Sequence, residues 1–134
     1  MNRTTVVSII MRVVLGIIFV FHAVDKFQMG LGNVEAWFTS LGVPGFVAYV
    51  VVVIELVGGI MLILGLFTRY VSALFVLVLI GAILTAKLSV GLLGNGQMAG
   101  YELDLGFILI SLYLIVADRT PLSVDHLVMS KRSR

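Results

Sequence analysis

The sequence predicts an all-α integral membrane protein, a four-helix antiparallel bundle with both termini in the cytoplasm. Of its 134 residues, 60% are hydrophobic and 12% are charged, whereas ordinary globular domains have about 45–50% apolar and about 25% charged residues. The chain also contains four apolar runs, each close to the roughly 20 residues that a helix needs to cross a hydrocarbon core of about 30 Å. Its length predicts one domain over residues 1–134.

The four predicted spans cover residues 5–24, 46–67, 70–89 and 101–117. Between the first two lies the stretch GLGNVEAWFTSLGVPGF. Asn33 is a suitable N-cap for a short helix over 34–41, and Gly42 and Pro44 can end that helix before the second span begins. The chain is therefore expected to carry one short helix in addition to its spans.

The other two connections differ in length. Little more than Thr68 and Arg69 joins the second span to the third, which predicts a tight antiparallel hairpin. The third and fourth spans are joined by GLLGNGQMAG, whose glycines predict a flexible loop.

The basic residues predict the orientation. With an even number of spans, one side of the membrane collects most of them: Arg3, Arg69, Arg119, Lys131, Arg132 and Arg134. Lys26 and Lys87 fall toward the other side. Because Lys and Arg accumulate in cytoplasmic segments, both termini are expected in the cytoplasm. The basic tail, 118–134, is expected to contact anionic lipids of the bilayer and no nucleic acid.

No built-in cofactor or metal is expected. The chain has no cysteine, which excludes disulfides, thiol catalysis and cysteine-held zinc or iron–sulfur centres. No Gly-rich nucleotide fingerprint and no cluster with metal-ligand spacing occurs in the sequence. His22 is the one histidine in a predicted span, so a single chain does not offer two axial haem ligands inside the membrane. Redox chemistry would need another carrier.

Two charged residues lie inside predicted spans. Glu55 interrupts the apolar run VVVIELVGGIMLILGLFTR, and Arg12 lies in the first span. Their positions correspond to depths of about 16 Å and about 10 Å from the cytoplasmic side, a difference that an arginine side chain can bridge. Because an unpaired charge in mid-membrane costs from about 2.5 to more than 10 kcal/mol, we predict an Arg12 to Glu55 ion pair. A protonated Glu55 bound to a hydroxyl or backbone group is the alternative.

A second polar set is predicted at the opposite end of the bundle. His22 and Lys26 are four residues apart and share one helix face, and Lys87 reaches the same level from the third span. Snorkelling of both lysines toward the interface is an alternative that requires no binding site.

The fourth span begins with acidic residues, which are favourable at any helix N-terminus. Glu102 and Asp104 are about 200° apart around a helix, so at most one of them faces the bundle centre. We predict that Glu102 does so, next to Tyr101. Together with the preceding groups it would line a polar pathway suited to a small polar aromatic molecule or a quinone headgroup, whose oxygens accept hydrogen bonds.

Five stretches carry a family resemblance: MRVVLGIIFVFHAVDKF, SLGVP, IELVGG, LGLFTR and YELDL. In this order they resemble the DoxX family of small four-helix membrane proteins, over roughly Arg12 to Leu112. The resemblance implies that a few polar positions are characteristic, namely Arg12, Lys26, Glu55, Arg69 and Glu102.

The resemblance also implies a function. DoxX proteins are linked to quinone-coupled oxidoreduction, as in the membrane subunit of thiosulfate:quinone oxidoreductase, and to bacterial responses to catechols, quinones and oxidative stress. It implies an inner-membrane oxidoreductase subunit that binds quinone and needs a soluble or membrane redox partner. Glu55 and Arg12 are then the catalytic candidates, and the candidates for substrate binding are His22, Lys26, Lys87, Tyr101 and Glu102.

A non-catalytic membrane scaffold or a small-solute carrier is the alternative function. The same polar residues would then stabilise the bundle or line a solute path. The outward helix faces show no heptad or small-xxx-small motif that decides between a monomer and a homo-oligomer.

Overall fold

The computed structural model describes residues 2–96, 100–117, Ser123 and Leu127. Within them the helices are α1 Arg3–Met29, α2 Leu31–Ser40, α3 Phe46–Leu64, α4 Thr68–Ala82 and α5 Glu102–Val116, and the π-helical segment Ile83–Lys87 continues α4. No strand occurs among the described residues, so the predicted all-α class is confirmed. The predicted basic tail lies outside the described residues, apart from Ser123 and Leu127.

Only some of the described helices are long and apolar enough to span a membrane. In the described part of the chain, three segments are long and apolar enough to cross a membrane: Arg3–Met29, Phe46–Leu64 and Thr68–Lys87. α5 has 15 residues, which corresponds to about 22 Å of helix and is shorter than the usual hydrocarbon core. The second predicted span matches α3 closely, whereas α1 extends past the first predicted span to Met29.

α1 and α3 pack antiparallel and approach each other through two glycines. A Cβ atom on Gly16 would lie 2.6 Å from the Gly59 carbonyl oxygen, and one on Gly59 would lie 2.7 Å from the Gly16 carbonyl oxygen. Real Cβ atoms do not approach backbone oxygens this closely. Small residues at both positions therefore allow the two helix backbones to come into direct contact.

Gly59→Ala is expected to lower the free energy of unfolding by about 1–3 kcal/mol, the usual cost of overpacking. The new methyl group would meet the Gly16 carbonyl oxygen and the Val20 side chain. Denaturant unfolding in detergent micelles measures this change. Gly106→Ala is the matched control, because a Cβ atom on that helical glycine meets nothing within 4 Å. Equal stability of the two variants would contradict the close helix crossing.

An aromatic layer closes the middle of the bundle. Phe19 of α1 stacks on Phe75 of α4, with ring centroids 3.9 Å apart, and Phe107 of α5 lies 6.0 Å from Phe19. A Cβ atom on Gly58 of α3 would lie 2.8 Å from the Phe75 ring. The helices α1, α3, α4 and α5 therefore all contact this layer. Through Phe19, the layer also lines a cavity between the helices.

Only Gly30 separates α2 from α1. Gly30 adopts a φ of 90° and caps α2, a conformation that glycine adopts without steric cost. The predicted N-cap Asn33 is wrong: it lies inside α2, and its Nδ2 donates to the Met29 carbonyl at 2.7 Å. The Tyr49 hydroxyl donates to Glu35 Oε2 at 2.7 Å and so attaches α2 to α3.

The two remaining connections join α3 to α4 and the π-helical segment to α5. The turn between α3 and α4 covers residues 65–67. The predicted tight hairpin is confirmed, although Thr68 and Arg69, the predicted connection, are the first residues of α4. The connection between Lys87 and α5 is longer, and backbone hydrogen bonds join its two ends. The Glu102 amide donates to the Leu92 carbonyl at 3.0 Å, and the Tyr101 amide donates to the Gly91 carbonyl at 3.3 Å. These bonds fix the position at which α5 begins.

Candidate functional site

A cavity of about 430 Å³ lies between α1, α3 and α4, and Phe19 of the aromatic layer forms part of its lining. This volume falls within the range of about 300–1,000 Å³ that is usual for small-molecule sites. Valines and Ile54 of α3 form one wall, small and branched residues of α4 form the opposite wall, and Trp37 and Phe38 of α2 cover one end. The polar side chains that line it are His22, Lys26, Glu55, Thr85, Lys87 and Asp104.

Lys26 and Glu55 form the first ion pair in this cavity. Lys26 Nζ lies 2.8 Å from Glu55 Oε1, and the Lys26 side chain is 17% exposed. Helical side chains incline toward the N-terminus of their own helix. Lys26 lies near the end of α1, and its side chain extends back toward the N-terminus of α1. The Glu55 side chain extends toward the N-terminus of α3. Because α1 and α3 run antiparallel, the two side chains extend toward each other. The two groups meet for that reason, and the buried carboxylate gains a cationic partner.

The predicted ion pair between Arg12 and Glu55 is wrong. Arg12 is buried, with 2% of its surface exposed, and its guanidinium lies against Gly65 at the end of α3. The ten residues from Glu55 to Gly65 correspond to about 15 Å along a helix. Arg12 inclines toward the N-terminus of α1 and therefore points away from Glu55. It does not line the cavity.

Lys87 and Asp104 form the second ion pair, with Lys87 Nζ 2.8 Å from Asp104 Oδ2. Lys87 is the last residue of the π-helical segment Ile83–Lys87. Short π-helical stretches are uncommon and occur frequently at functional sites. Here the wider turn ends with the lysine at the rim of the cavity, opposite the start of α5.

The prediction that Glu102 faces the interior in place of Asp104 is wrong. Asp104 is 6% exposed, whereas Glu102 lies on the exposed side of α5. The interior face of α5 continues from Asp104 through Phe107 and Ser111, which are spaced as one helix face. Tyr101 is the N-cap of α5 and partly buried, and neither Tyr101 nor Glu102 lines the cavity.

His22 lines the cavity next to the aromatic layer, and part of its surface is exposed. Its ring centroid is 5.9 Å from that of Phe19 and 6.3 Å from that of Phe107. Lys26 follows His22 by one turn on α1, and Asp104 precedes Phe107 by one turn on α5. The imidazole, which can donate or accept a hydrogen bond, is therefore at the level where both helices carry their charged residues.

The charges in the cavity balance one another. Lys26 and Lys87 are each within hydrogen-bonding distance of a carboxylate, and an ammonium group has three protons to donate. Each lysine can therefore bind its carboxylate and a ligand oxygen together. A net-neutral site of this kind suits a neutral, oxygen-bearing ring better than a highly charged molecule. Within the described residues no group of three or more His, Asp or Glu side chains could hold a metal ion.

Comparison with known proteins identifies the family. The DoxX family model matches residues 7–88, more than half of the chain. The chain belongs to the DoxX family. A relative from Bacillus subtilis (strain 168), named "Putative oxidoreductase CatD", is 41% identical over 121 residues, which cover 90% of this chain and 86% of the relative. No solved structure matches the chain significantly. The resemblance that the sequence stretches predicted is therefore confirmed.

Sequence reasoning missed several cavity residues of this DoxX protein. Asp104 was assigned to the outside, and Trp37 and Phe38 were not considered part of a site, although both line the cavity. In the sequence, adjacent aromatic residues beside an apolar span indicate the membrane interface and do not distinguish it from the lining of a cavity. Arg69, which the family resemblance implies, lies exposed at the start of α4, away from the cavity.

Proposed function

We propose that this protein is a membrane oxidoreductase subunit that binds quinones or catechol-like compounds in the cavity between α1, α3 and α4. One observation carries the proposal: two lysine–carboxylate pairs and His22 meet in a single cavity that is otherwise apolar. The DoxX family membership and the 41% identical relative named "Putative oxidoreductase CatD" support it. A response to quinone or oxidative stress is the physiological role that fits such a subunit.

The proposed orientation in the membrane rests on α5 and on the basic residues. α5 serves as a short fourth span, so the protein forms a four-helix bundle in the bacterial inner membrane with both termini in the cytoplasm. Arg3 and Arg69 begin α1 and α4 at one end of the bundle, while Lys26 and Lys87 lie at the other. The excess of basic residues in cytoplasmic segments supports this orientation. The cavity then lies in the outer half of the bilayer.

The chemistry divides between this chain and a partner. Reduction of a quinone to a quinol consumes two electrons and two protons, and oxidation of a catechol releases them. Lys26 and Lys87 would donate hydrogen bonds to the two ring oxygens. Glu55 would exchange one of the two protons with one ring oxygen, and His22 would exchange the second proton with the other. The electrons would pass to or from a redox partner protein that carries the electron donor or acceptor.

Ligand binding is the direct test, and the chain contains its own reporter. Trp37 is the single tryptophan of the sequence and lines the cavity. Purified protein in lipid nanodiscs is titrated with a panel of quinones while tryptophan fluorescence is recorded. We expect saturable quenching that a non-quenching catechol reverses by competition. Quenching that rises linearly with quinone for every compound would report only collision in the lipid and would favour the scaffold or solute carrier.

A further inference from the structure

α3 and α4 separate from each other on the way from their hairpin to the cavity. They are joined by residues 65–67 and touch where the Phe75 ring lies close to Gly58. Beyond this contact, the cavity occupies the space between them. It is lined by one face of α3, with Val47, Val50 and Ile54, and by one face of α4.

The cavity reaches the outer surface of the bundle through this separation. Val50 and Leu77 both line the cavity, yet they are 48% and 67% exposed. They therefore stand at the edges of an opening between α3 and α4. Both helices belong to segments that can span a membrane. The opening then faces the hydrocarbon of the bilayer.

Gly81 on α4 leaves free space beside the cavity. It lines the cavity, and a Cβ atom built on it meets nothing within 4 Å. One turn later, the Thr85 hydroxyl donates to the Gly81 carbonyl at 2.7 Å. The hydroxyl is thus bonded to its own helix, and the wall of the opening presents apolar surface together with a glycine.

We propose that the ligand enters laterally from the bilayer through the opening between α3 and α4, and that it is a lipid-dissolved quinone whose apolar tail remains in that opening. This inference rests on the proposed function. The side chains of Lys26 and Lys87 are 17% and 26% exposed and bind carboxylates, whereas the apolar lining residues Val50 and Leu77 are 48% and 67% exposed. The more buried part of the lining is therefore charged and the exposed part apolar, an arrangement that matches a polar ring with an apolar tail. A water-soluble catechol gains nothing from an apolar opening toward lipid.

Gly81→Leu tests the inference by filling the opening while leaving the polar groups unchanged. Two quinones with the same ring, one with a long isoprenoid tail and one without a tail, are titrated in nanodiscs by Trp37 fluorescence. We expect the dissociation constant of the tailed quinone to rise at least about tenfold, equivalent to about 1.4 kcal/mol. That of the tailless quinone should stay close to its original value. Gly106→Leu, in a helix position that is equally open and does not line the cavity, should change neither.

Val50→Phe provides a second variant, because Val50 lines the cavity and is 48% exposed, so that a larger side chain there narrows the opening from the α3 side. It should reproduce the selective loss of the tailed quinone. Equal weakening of both quinones, or no change in the tailed one, would overturn lateral entry while leaving the proposed function intact. Absence of saturable binding to the unchanged protein would instead overturn the proposed function, and lateral entry with it.

Discussion

Glu55→Gln is expected to lower quinone-dependent turnover by about 100-fold or more, the usual contribution of a general acid–base group. The amide has nearly the same size as the carboxyl group, and its oxygen can still accept a hydrogen bond from Lys26, whose Nζ lies 2.8 Å from Glu55. It cannot exchange a proton with a ring oxygen. The measurement is the initial rate of quinone reduction in membrane vesicles from cells that express either form.

Glu35→Gln is the matched control for this loss. Glu35 is also a carboxylate bound to a neighbouring helix, since it accepts a hydrogen bond from Tyr49, but it does not line the cavity. Its replacement should leave the rate unchanged. If Glu55→Gln also retained the full rate at equal protein levels, Glu55 would have no part in proton exchange, and its ion pair would serve packing alone.

The helical fold could be predicted from the sequence because the bilayer requires every backbone polar group to be hydrogen-bonded within the protein, and the composition shows that the chain lies in a bilayer. A chain with so few charged residues and several apolar runs of about 20 residues can satisfy its backbone in a bilayer only as helices or a closed barrel. The α3 range Phe46–Leu64 begins where the second predicted span begins. The first predicted span ended at residue 24, before the charged residues Asp25 and Lys26, whereas α1 continues to Met29.

The site was predicted only in part, because depth alone does not decide which charges meet. Arg12 and Glu55 were predicted to pair because their depths along the spans, about 10 Å and about 16 Å, differ by no more than an arginine side chain can bridge. Side-chain direction reverses the outcome: the tilt toward each helix N-terminus turns Arg12 away from Glu55 and turns Lys26 toward it. This rule can be applied to any antiparallel pair of spans before a structure is known.

The assignment of Asp104 failed for a different reason. In a soluble helix, polar residues mark the outer face, but in a membrane helix the lipid-facing and interior faces are both apolar. α5 carries exposed leucines such as Leu109 on one side and buried Phe107 on the other, so its hydrophobic pattern does not show which side is inside. Lys87 on the preceding helix was the better guide, because it needed a partner at the same level.

Removing one partner of the first ion pair is expected to have the largest effect on stability. Glu55→Leu leaves Lys26 without its carboxylate, and breaking a buried pair in this way usually costs about 3–5 kcal/mol. We expect about 3 kcal/mol, the lower end, because Lys26 is 17% exposed and its long side chain can turn toward the surface. The change is measured as the shift in free energy of unfolding in detergent micelles.

The double variant Lys26→Met/Glu55→Leu separates stability from function. Replacing a buried ion pair by apolar residues of similar volume is often neutral or stabilising, so most of the stability lost in Glu55→Leu should return. Quinone binding, followed by Trp37 fluorescence, should remain lost, because both a hydrogen-bond donor and the proton-exchanging group have been removed. A stable double variant that binds quinone as tightly as the unchanged protein would show that this ion pair only holds α1 against α3. A stable double variant without binding would show that the pair is retained for the ligand.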